Sequence, residues 1–200
     1  IKLTAPEDLS NHILARLVFD FMDLYPDIKI DLFSTNSYLD FQKRQIDLAL
    51  RIGKLKDSSL IQRKVADIEV IFVATPSFLR SSRPLKEIKD LKGSPVAVIK
   101  NLLGEPLNQR LYNLIDPVFS SNSIPLVKEF AKESKGVATL PRFLCEEELR
   151  KKELVQVVQD ELYAQRGLFL LSPPTKFTPE HVKTFKSFVY ENLKSKLLPS

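Results

Sequence analysis

Cysteine, histidine, glycine and tryptophan are all scarce in this chain of 200 residues, and the first three shortages each remove a class of function. The single cysteine, Cys145, cannot close an internal disulfide, which suits a reducing compartment. One cysteine and two histidines, His12 and His181, leave too few soft ligands for a structural zinc site, so no metal or cofactor is expected. The five glycines spell neither G-x-G-x-x-G nor G-x-x-x-x-G-K-[ST], which removes support for dinucleotide and P-loop nucleotide sites. There is no G-x-S-x-G elbow, and Cys145 stands beside Phe143 and Leu144 in a helix-like segment, the setting of a structural thiol. No apolar run approaches the roughly 20 residues that span a bilayer, and no signal peptide is visible. With no nucleophile, base or cofactor motif, an enzyme is not expected.

What remains is an ordinary globular composition, 44% hydrophobic and 28% charged, in a length that suits one large domain or two small lobes. Thirteen phenylalanines concern core packing more than function. The net charge of +5 is spread evenly: residues 1–100 carry 16 basic and 13 acidic side chains, residues 101–200 carry 14 and 12. Nucleic-acid surfaces cluster their basic groups. The tightest cluster, Arg150-Lys151-Lys152, directly follows Glu146-Glu147-Glu148 and reads as a solvated helix end, so DNA contact by this stretch is not expected. The chain opens at Ile1 directly into a strand-like segment and is read as a piece of a longer protein.

Hydrophobic periodicity predicts a strand over Lys2 to Ala5 and then a helix capped by Ser10 or Asn11, with Ile13, Leu14, Leu17, Val18, Phe21 and Leu24 on its apolar face and Pro26 as its stop. A strand over Ile28 to Phe33, a short helix near Tyr38 to Lys43 and a strand over Ile46 to Ile52 complete a βαβαβ rhythm, which implies a parallel sheet. Extended segments Leu60 to Val65 and Glu69 to Ala74 follow, closed by Thr75-Pro76-Ser77; then come a short helix Leu85 to Leu91 and a strand Pro95 to Ile99. The second α/β rhythm has a strand edge at Val118 and Phe119, a helix through Ala131 capped within Ser121-Asn122-Ser123, and a strand Gly136 to Leu140. Pro141 then opens a helix toward Leu149. Strands Leu154 to Val158 and Leu162 to Leu171 lead to Pro173-Pro174. The last helix begins at Thr178-Pro179, with Val182, Phe185, Phe188, Val189 and Leu193 inward.

The strand-to-helix junctions after Pro6, Asn36 and Asn122 expose amide hydrogens that can cradle a polar or anionic ligand, although the same residues also serve simply as caps. His12, on an early helical turn, either touches a cleft or faces solvent.

At Asp47-Leu48-Ala49-Leu50-Arg51-Ile52-Gly53, continued by Asp57-Ser58-Ser59-Leu60, the chain resembles the effector-binding domain of LysR-type transcriptional regulators, in the D-L-A-I-R-I-G…D-S-S-L form of a large subgroup. Phe21 to Pro26, Val73 to Leu79, Pro84 with Asp90-Leu91, and Gly136 to Pro141 match further segments of that family in family order. The resemblance implies an α/β fold like type 2 periplasmic binding proteins: two Rossmann-like lobes with a cleft between them, joined by crossover strands near Ile71–Val73 and Phe169–Leu171. Lobe I then takes residues 1–71 and 172–200, and lobe II takes 72–171. It also implies a small-molecule effector held by Pro6, Glu7 and Asp8; Thr35, Asn36 and Ser37; Asn101 and Leu102; Asn122 and Ser123; and the Gly136 to Pro141 turn.

The same resemblance implies a cytoplasmic homodimer, with a tetramer open for the full protein. In it the first helix and the Ile28 to Phe33 strand meet the helix after Asn122 of a twofold partner. DNA contact belongs to an N-terminal winged helix-turn-helix that these residues do not include, and no membrane contact is expected. An extracytoplasmic solute-binding protein of a transporter shares the fold and is the alternative. Two positions depart from the subgroup: Asp8, preceded by Glu7, stands where a small hydroxyl residue is common, and Ser10 where glycine is common. Two carboxylates there oppose an anionic effector unless a basic group or cation offsets them. Arg51, at a strand end, either holds a carboxylate or braces Asp57.

Overall fold

A computed structural model describes residues 1–37, 39–53, 59–100, 109–174 and 177–197. The chain divides into two compact units, residues 1–67 with 167–200 and residues 68–166. The sequence reading divides it at 71/72 and 171/172 instead; all four positions fall within the same two strands, Ile61–Ala74 and Ala164–Ser172. Each of these strands therefore passes from one unit into the other.

Unit 1 is a sheet of β1 (Lys2–Ala5), β2 (Asp31–Ser34), β3 (Leu48–Ile52) and β9 (Ala164–Ser172), in the order β2-β1-β3-β9. β1 pairs in parallel with both β2 and β3, while β9 runs antiparallel to β3. The first connection starts as α1 (Glu7–Leu9), widens into a π-helical turn (Ser10–Leu14) and continues as α2 (Ala15–Leu24). Helix therefore begins before the expected cap: Pro6 is the N-cap, and Ser10 is buried inside the helix with its Oγ donating to the Pro6 carbonyl at 2.9 Å. A hydroxyl that bonds back to the carbonyl four residues earlier satisfies itself within a helix rather than at its start.

Tyr25 ends α2 just before Pro26, as the proline predicts. The strand expected from Ile28 begins at Asp31, because Ile28 is held in a turn by its N–H to the Tyr25 carbonyl at 3.0 Å. The final helix, α8 (Glu180–Leu197), buries Val182, Phe185, Val189 and Leu193 as expected. Its Phe185 meets Phe21 of α2 edge to face at 4.8 Å, and Phe188 meets it at 5.3 Å. Aromatic pairs of this kind add about 0.5–1.5 kcal/mol beyond area burial. Here lies part of the use of a phenylalanine-rich composition.

Unit 2 is built on β4 (Ile61–Ala74), β5 (Val96–Ile99), β6 (Phe119–Ser121), β7 (Val137–Pro141) and β8 (Val155–Val157). β4 lies between β7 and β8, antiparallel to both, and β5 pairs in parallel with β6 and β7. The two extended segments read at Leu60 to Val65 and Glu69 to Ala74 are thus one 14-residue strand, since Ala66 to Ile68 keep the extended backbone across the polar interruption at Asp67. Thr75, read only as a strand end, also accepts from the Phe78 N–H at 3.3 Å and so caps α4 (Pro76–Ser81). α5 (Gln109–Ile115) was not anticipated by periodicity. The helix read at Leu85 to Leu91 shrinks to a 3-10 turn, Ile88–Leu91.

α6 (Ile124–Lys132) packs Val127 and Ala131 against Ile71, Val73, Ala97 and Leu140. Pro141 does not open a helix: it closes β7, and a 3-10 turn (Arg142–Leu144) precedes α7 (Glu146–Arg150). Lys128 of α6 reaches the Leu144 carbonyl at 2.8 Å and pairs with Glu148 of α7. Between these helices Cys145 is fully buried; burial pushes its thiol up to about 12, which leaves it protonated and inert.

Gly136 explains the turn from α6 into β7. A Cβ there would stand 2.1 Å from the Pro95 carbonyl oxygen and 2.8 Å from the Phe130 ring, and that carbonyl also receives the Val137 N–H at 2.9 Å. Backbone cannot retreat without breaking the β5–β7 pairing. Replacing Gly136 with alanine is expected to lower unfolding stability by roughly 1–3 kcal/mol in urea titration. An unchanged urea midpoint would contradict the close approach.

Candidate functional site

Parallel pairing puts the carboxyl ends of β1, β2 and β3 at one edge of unit 1. Six of the sequence candidates meet there. Pro6, with φ −57° and ψ 143°, turns β1 into the helix, and its carbonyl accepts both N–H and Oγ of Ser10 at 2.9 Å. Glu7 and Asp8 occupy the first helical turn, where carboxylates suit the exposed amides. Thr35 anchors the second junction: its N–H donates to the Ala5 carbonyl at 2.8 Å, and its Oγ1 accepts from the Ser37 N–H at 3.1 Å. Asn36 and Ser37 are exposed.

Arg51 ties this edge to the sheet. The residue is 5% exposed, and its guanidinium donates to the Leu50 carbonyl at 2.8 Å, to Thr4 Oγ1 at 3.0 Å and to the Ser37 carbonyl at 3.2 Å. Asp57, its other expected partner, lies outside the described residues, as do Asn101 and Leu102. Arg51 also lines a cavity of 640 Å³ within unit 1, together with Gln42, Gln45, Leu60, Leu171 and Pro173. Such a volume suits a small organic molecule, with mainly apolar walls and a few polar groups to orient it. The sequence reading missed the glutamines. The available signal was Asp40, which accepts from the Gln42 and Lys43 N–H groups at 2.9 and 3.0 Å and so starts α3 (Phe41–Arg44), placing Gln42 on its first turn.

Unit 2 has the same kind of edge. Its parallel strands β5, β6 and β7 end together, which brings the Asn122-Ser123 junction and Pro141 to one side. Ser123 is the N-cap of α6 by backbone conformation, yet its side chain makes no capping bond; its N–H instead donates to Ser121 Oγ at 3.1 Å. Gly136 is at the far end of β7, about 17 Å of extended chain from Pro141, so the structure separates these two candidates. Tyr163, also missed, is buried against Phe72 with its hydroxyl unpartnered among the described residues, and burial pushes the phenol up to about 12.

No cluster of three or more histidine, cysteine or acidic side chains able to hold a metal occurs among the described residues. His12 Nδ1 lies 3.0 Å from the Asp8 carbonyl oxygen, an exposed local contact within the helix. Burial raises the Asp8 carboxyl above its ordinary 3.8; His12 opposes that shift and Glu7 adds to it. A carboxyl that holds its proton more tightly when folded contributes stability below 3.8, and the contribution fades as pH rises through the folded midpoint. In a ¹³C-detected NMR titration the Asp8 midpoint is expected above 3.8, lower in Glu7→Gln and higher in His12→Ala. A midpoint below 3.8 in the unmodified chain would overturn the burial argument.

Comparison with known proteins bears on this arrangement. The family model described as the LysR substrate binding domain matches residues 1–194. The HTH-type transcriptional regulator PtxR of Pseudomonas aeruginosa is 25% identical over 199 residues, covering 96% of this chain and 64% of that protein. The chain thus spans just under two thirds of that relative. The regulatory domain of AphB from Vibrio vulnificus is 25% identical with a TM-score of 0.78, covering 94% of this chain and 97% of that one. The regulatory domain of CrgA, a LysR-type transcriptional regulator from Neisseria meningitidis, supports the fold alone at 21% identity, with a TM-score of 0.79 and 98% coverage of both chains. The chain belongs to the LysR substrate-binding domain family, with the two-lobed α/β fold of LysR effector domains.

Proposed function

We propose that this chain is the effector-sensing half of a bacterial, cytoplasmic LysR-type regulator whose DNA-binding region lies outside these 200 residues. The match over residues 1–194 carries the reading, and it decides against the transporter alternative, because the matched relatives are regulators of transcription. Regulators of this kind act by binding DNA rather than by catalysis. The D-L-A-x-R-I-G…D-S-S-L subgroup is part of the proposal. In its support, Asp47 accepts the Lys2 N–H at 2.8 Å, Leu48 and Leu50 are fully buried, and Gly53 leaves the strand at φ +83°.

The effector contacts the carboxyl-end junctions. In unit 1 these are Pro6, Glu7, Asp8, Thr35, Asn36 and Ser37, the last held by Arg51, which also lines the 640 Å³ cavity. In unit 2 they are Asn122, Ser123 and Pro141, while Asn101 and Leu102 belong to the proposal by resemblance and Gly136 serves the backbone. A small molecule acts on the parent by preferring one arrangement of the domain, and its effect can be no larger than that preference. A thermal-shift screen of metabolites against the 200-residue chain identifies the effector. With that metabolite, Asn122→Ala and Ser123→Ala are expected to bind several-fold more weakly with the ligand-free melting temperature nearly unchanged. Equal affinity in both variants would remove this junction from the site.

The chain also pairs with a second copy, as a dimer on its own and as a dimer or tetramer in the full protein. Exposed apolar side chains supply the contact: Phe19 (60% exposed), Met22 and Leu24 on α2, Phe33 on β2, and Leu126 (56%) on α6. Phe19, Met22 and Leu24 stand on α2 and Leu126 on α6, helices that bury other residues in their own unit. Phe33 lies under the Arg44 guanidinium, 5.2 Å from its ring centre, and stays 49% exposed. Sedimentation at tens of micromolar is expected to give twice the 22.9 kDa chain mass, and Phe19→Glu with Leu126→Glu to give the monomer. A monomeric unmodified chain would contradict pairing through this domain.

A further inference from the structure

A second recognition feature lies in unit 1, on α8 and away from the junctions. Arg63 of β4 lays its guanidinium over the ring of Tyr190, with the central carbon 3.4 Å from the ring centre. One turn earlier on α8, Lys186 donates from Nζ to Oγ of Ser172, the last residue of β9, at 2.8 Å. Residues four apart on a helix share a face, so the ammonium and the stacked guanidinium stand side by side. Burial, and then the Arg63 charge, hold the Lys186 ammonium below its ordinary value.

Neighbouring cations are neutralised while these two are not. Lys64 follows Arg63 on the opposite face of the strand and pairs with Asp67 at 2.8 Å; Lys183 pairs with Glu180 at 3.1 Å. Among the described residues neither Arg63 nor Lys186 has an acidic partner. The groups that remain are donors: the edges of a guanidinium fixed by stacking, the further N–H groups of Lys186, and the Ser172 hydroxyl proton, left over because its oxygen already accepts from lysine. Like charges held together cost free energy until an anion joins them, and a donor-only set matches an acceptor-only ligand group.

We propose that Arg63, Lys186 and Ser172 form a binding site for an oxyanion, a carboxylate or phosphate group of a small ligand. The planar, stacked guanidinium offers two parallel N–H groups to such an anion, and Lys186 supplies a point charge from the helix side. Arg63 is on β4 and Ser172 on β9, the strands that continue into unit 2, so the bound anion fastens α8 to both of them at their unit 1 ends. The site is independent of the junction residues and does not rest on their role.

The test titrates the 200-residue chain with inorganic phosphate, and separately with succinate, at constant ionic strength set by sodium chloride. NMR follows the Arg63 Nε–H and Lys186 Nζ signals. A saturable shift at both groups is expected with at least one anion, and the arm that saturates distinguishes phosphate from carboxylate chemistry. Arg63→Gln and Lys186→Gln are each expected to weaken binding about tenfold, the worth of one charge-assisted hydrogen bond, while Lys186→Arg and Lys64→Gln retain it. Shifts that rise linearly without saturation in both arms would overturn the proposal. So would equal affinities in the unmodified, Arg63→Gln and Lys186→Gln chains.

Discussion

Folding takes the guanidinium of Arg51 out of water, and several kcal/mol per ion are lost in doing so unless hydrogen bonds replace the solvent. The replacements include the Leu50 carbonyl beside it, the buried Thr4 hydroxyl on β1 and the Ser37 carbonyl of the second junction. One side chain thus links β1, β3 and the second junction of unit 1. If β1 slips against β3, the Thr4 hydroxyl leaves; if the Thr35-Asn36-Ser37 turn opens, the Ser37 acceptor leaves. A lysine would reach one of these groups, but an ammonium lacks the fork that serves two elements at once. The brace also fixes the carbonyl of Ser37, a residue exposed beside the exposed Asn36, which is how a sheet edge gains rigidity without being covered.

Unit 2 reaches similar rigidity by packing. Gly136 lets the chain pass against the Pro95 carbonyl, and Lys128 clamps α6 to the Leu144 carbonyl and to Glu148. α6 is thus held at its middle and at its exit, with Cys145 sealed beneath. Its amino end is left unfinished. Ser123 takes the cap conformation without using its hydroxyl, and Pro125 in the first turn has no N–H to satisfy. A helix whose own side chains do not complete its first turn leaves amides for an outside acceptor, and here the end is mechanically secure without that cap.

The alternation of strand and helix was legible because it rests on local periodicity. The apolar face of α8, the Pro26 stop and the Lys2–Ala5 strand follow from residues three, four or two apart. What escaped depends on contacts distant in sequence. Ser10 looks like a cap until the Pro6 carbonyl is in place to take its hydroxyl. Pro141 looks like a helix opener until β4 pairs with it through Val70. The placing of the junctions at the candidate site was legible because parallel strands must end in turns at one edge. Gly136 was drawn in by its motif, although a strand's length separates it from Pro141 and its real constraint is a carbonyl 41 residues earlier. Arg51 was recognised as a charge with a role, but Thr4 and Ser37 stand 47 and 14 residues away, and no spacing rule connects them.

Asp8 takes on a different meaning once its surroundings are known. As a fixed negative charge beside Glu7 it would repel anionic effectors. Burial weakens that reading, because a carboxyl pushed upward gives up its charge more readily than a solvated one. Its state then follows what binds. A ligand that brings a cation or a hydrogen-bond donor favours the carboxylate and moves the titration down; one that brings an anion favours the acid and moves it up, with the proton itself as the bridging donor. If Asp8 contacts the effector as proposed, binding at this edge gains a pH dependence whose direction reports the sign of the ligand.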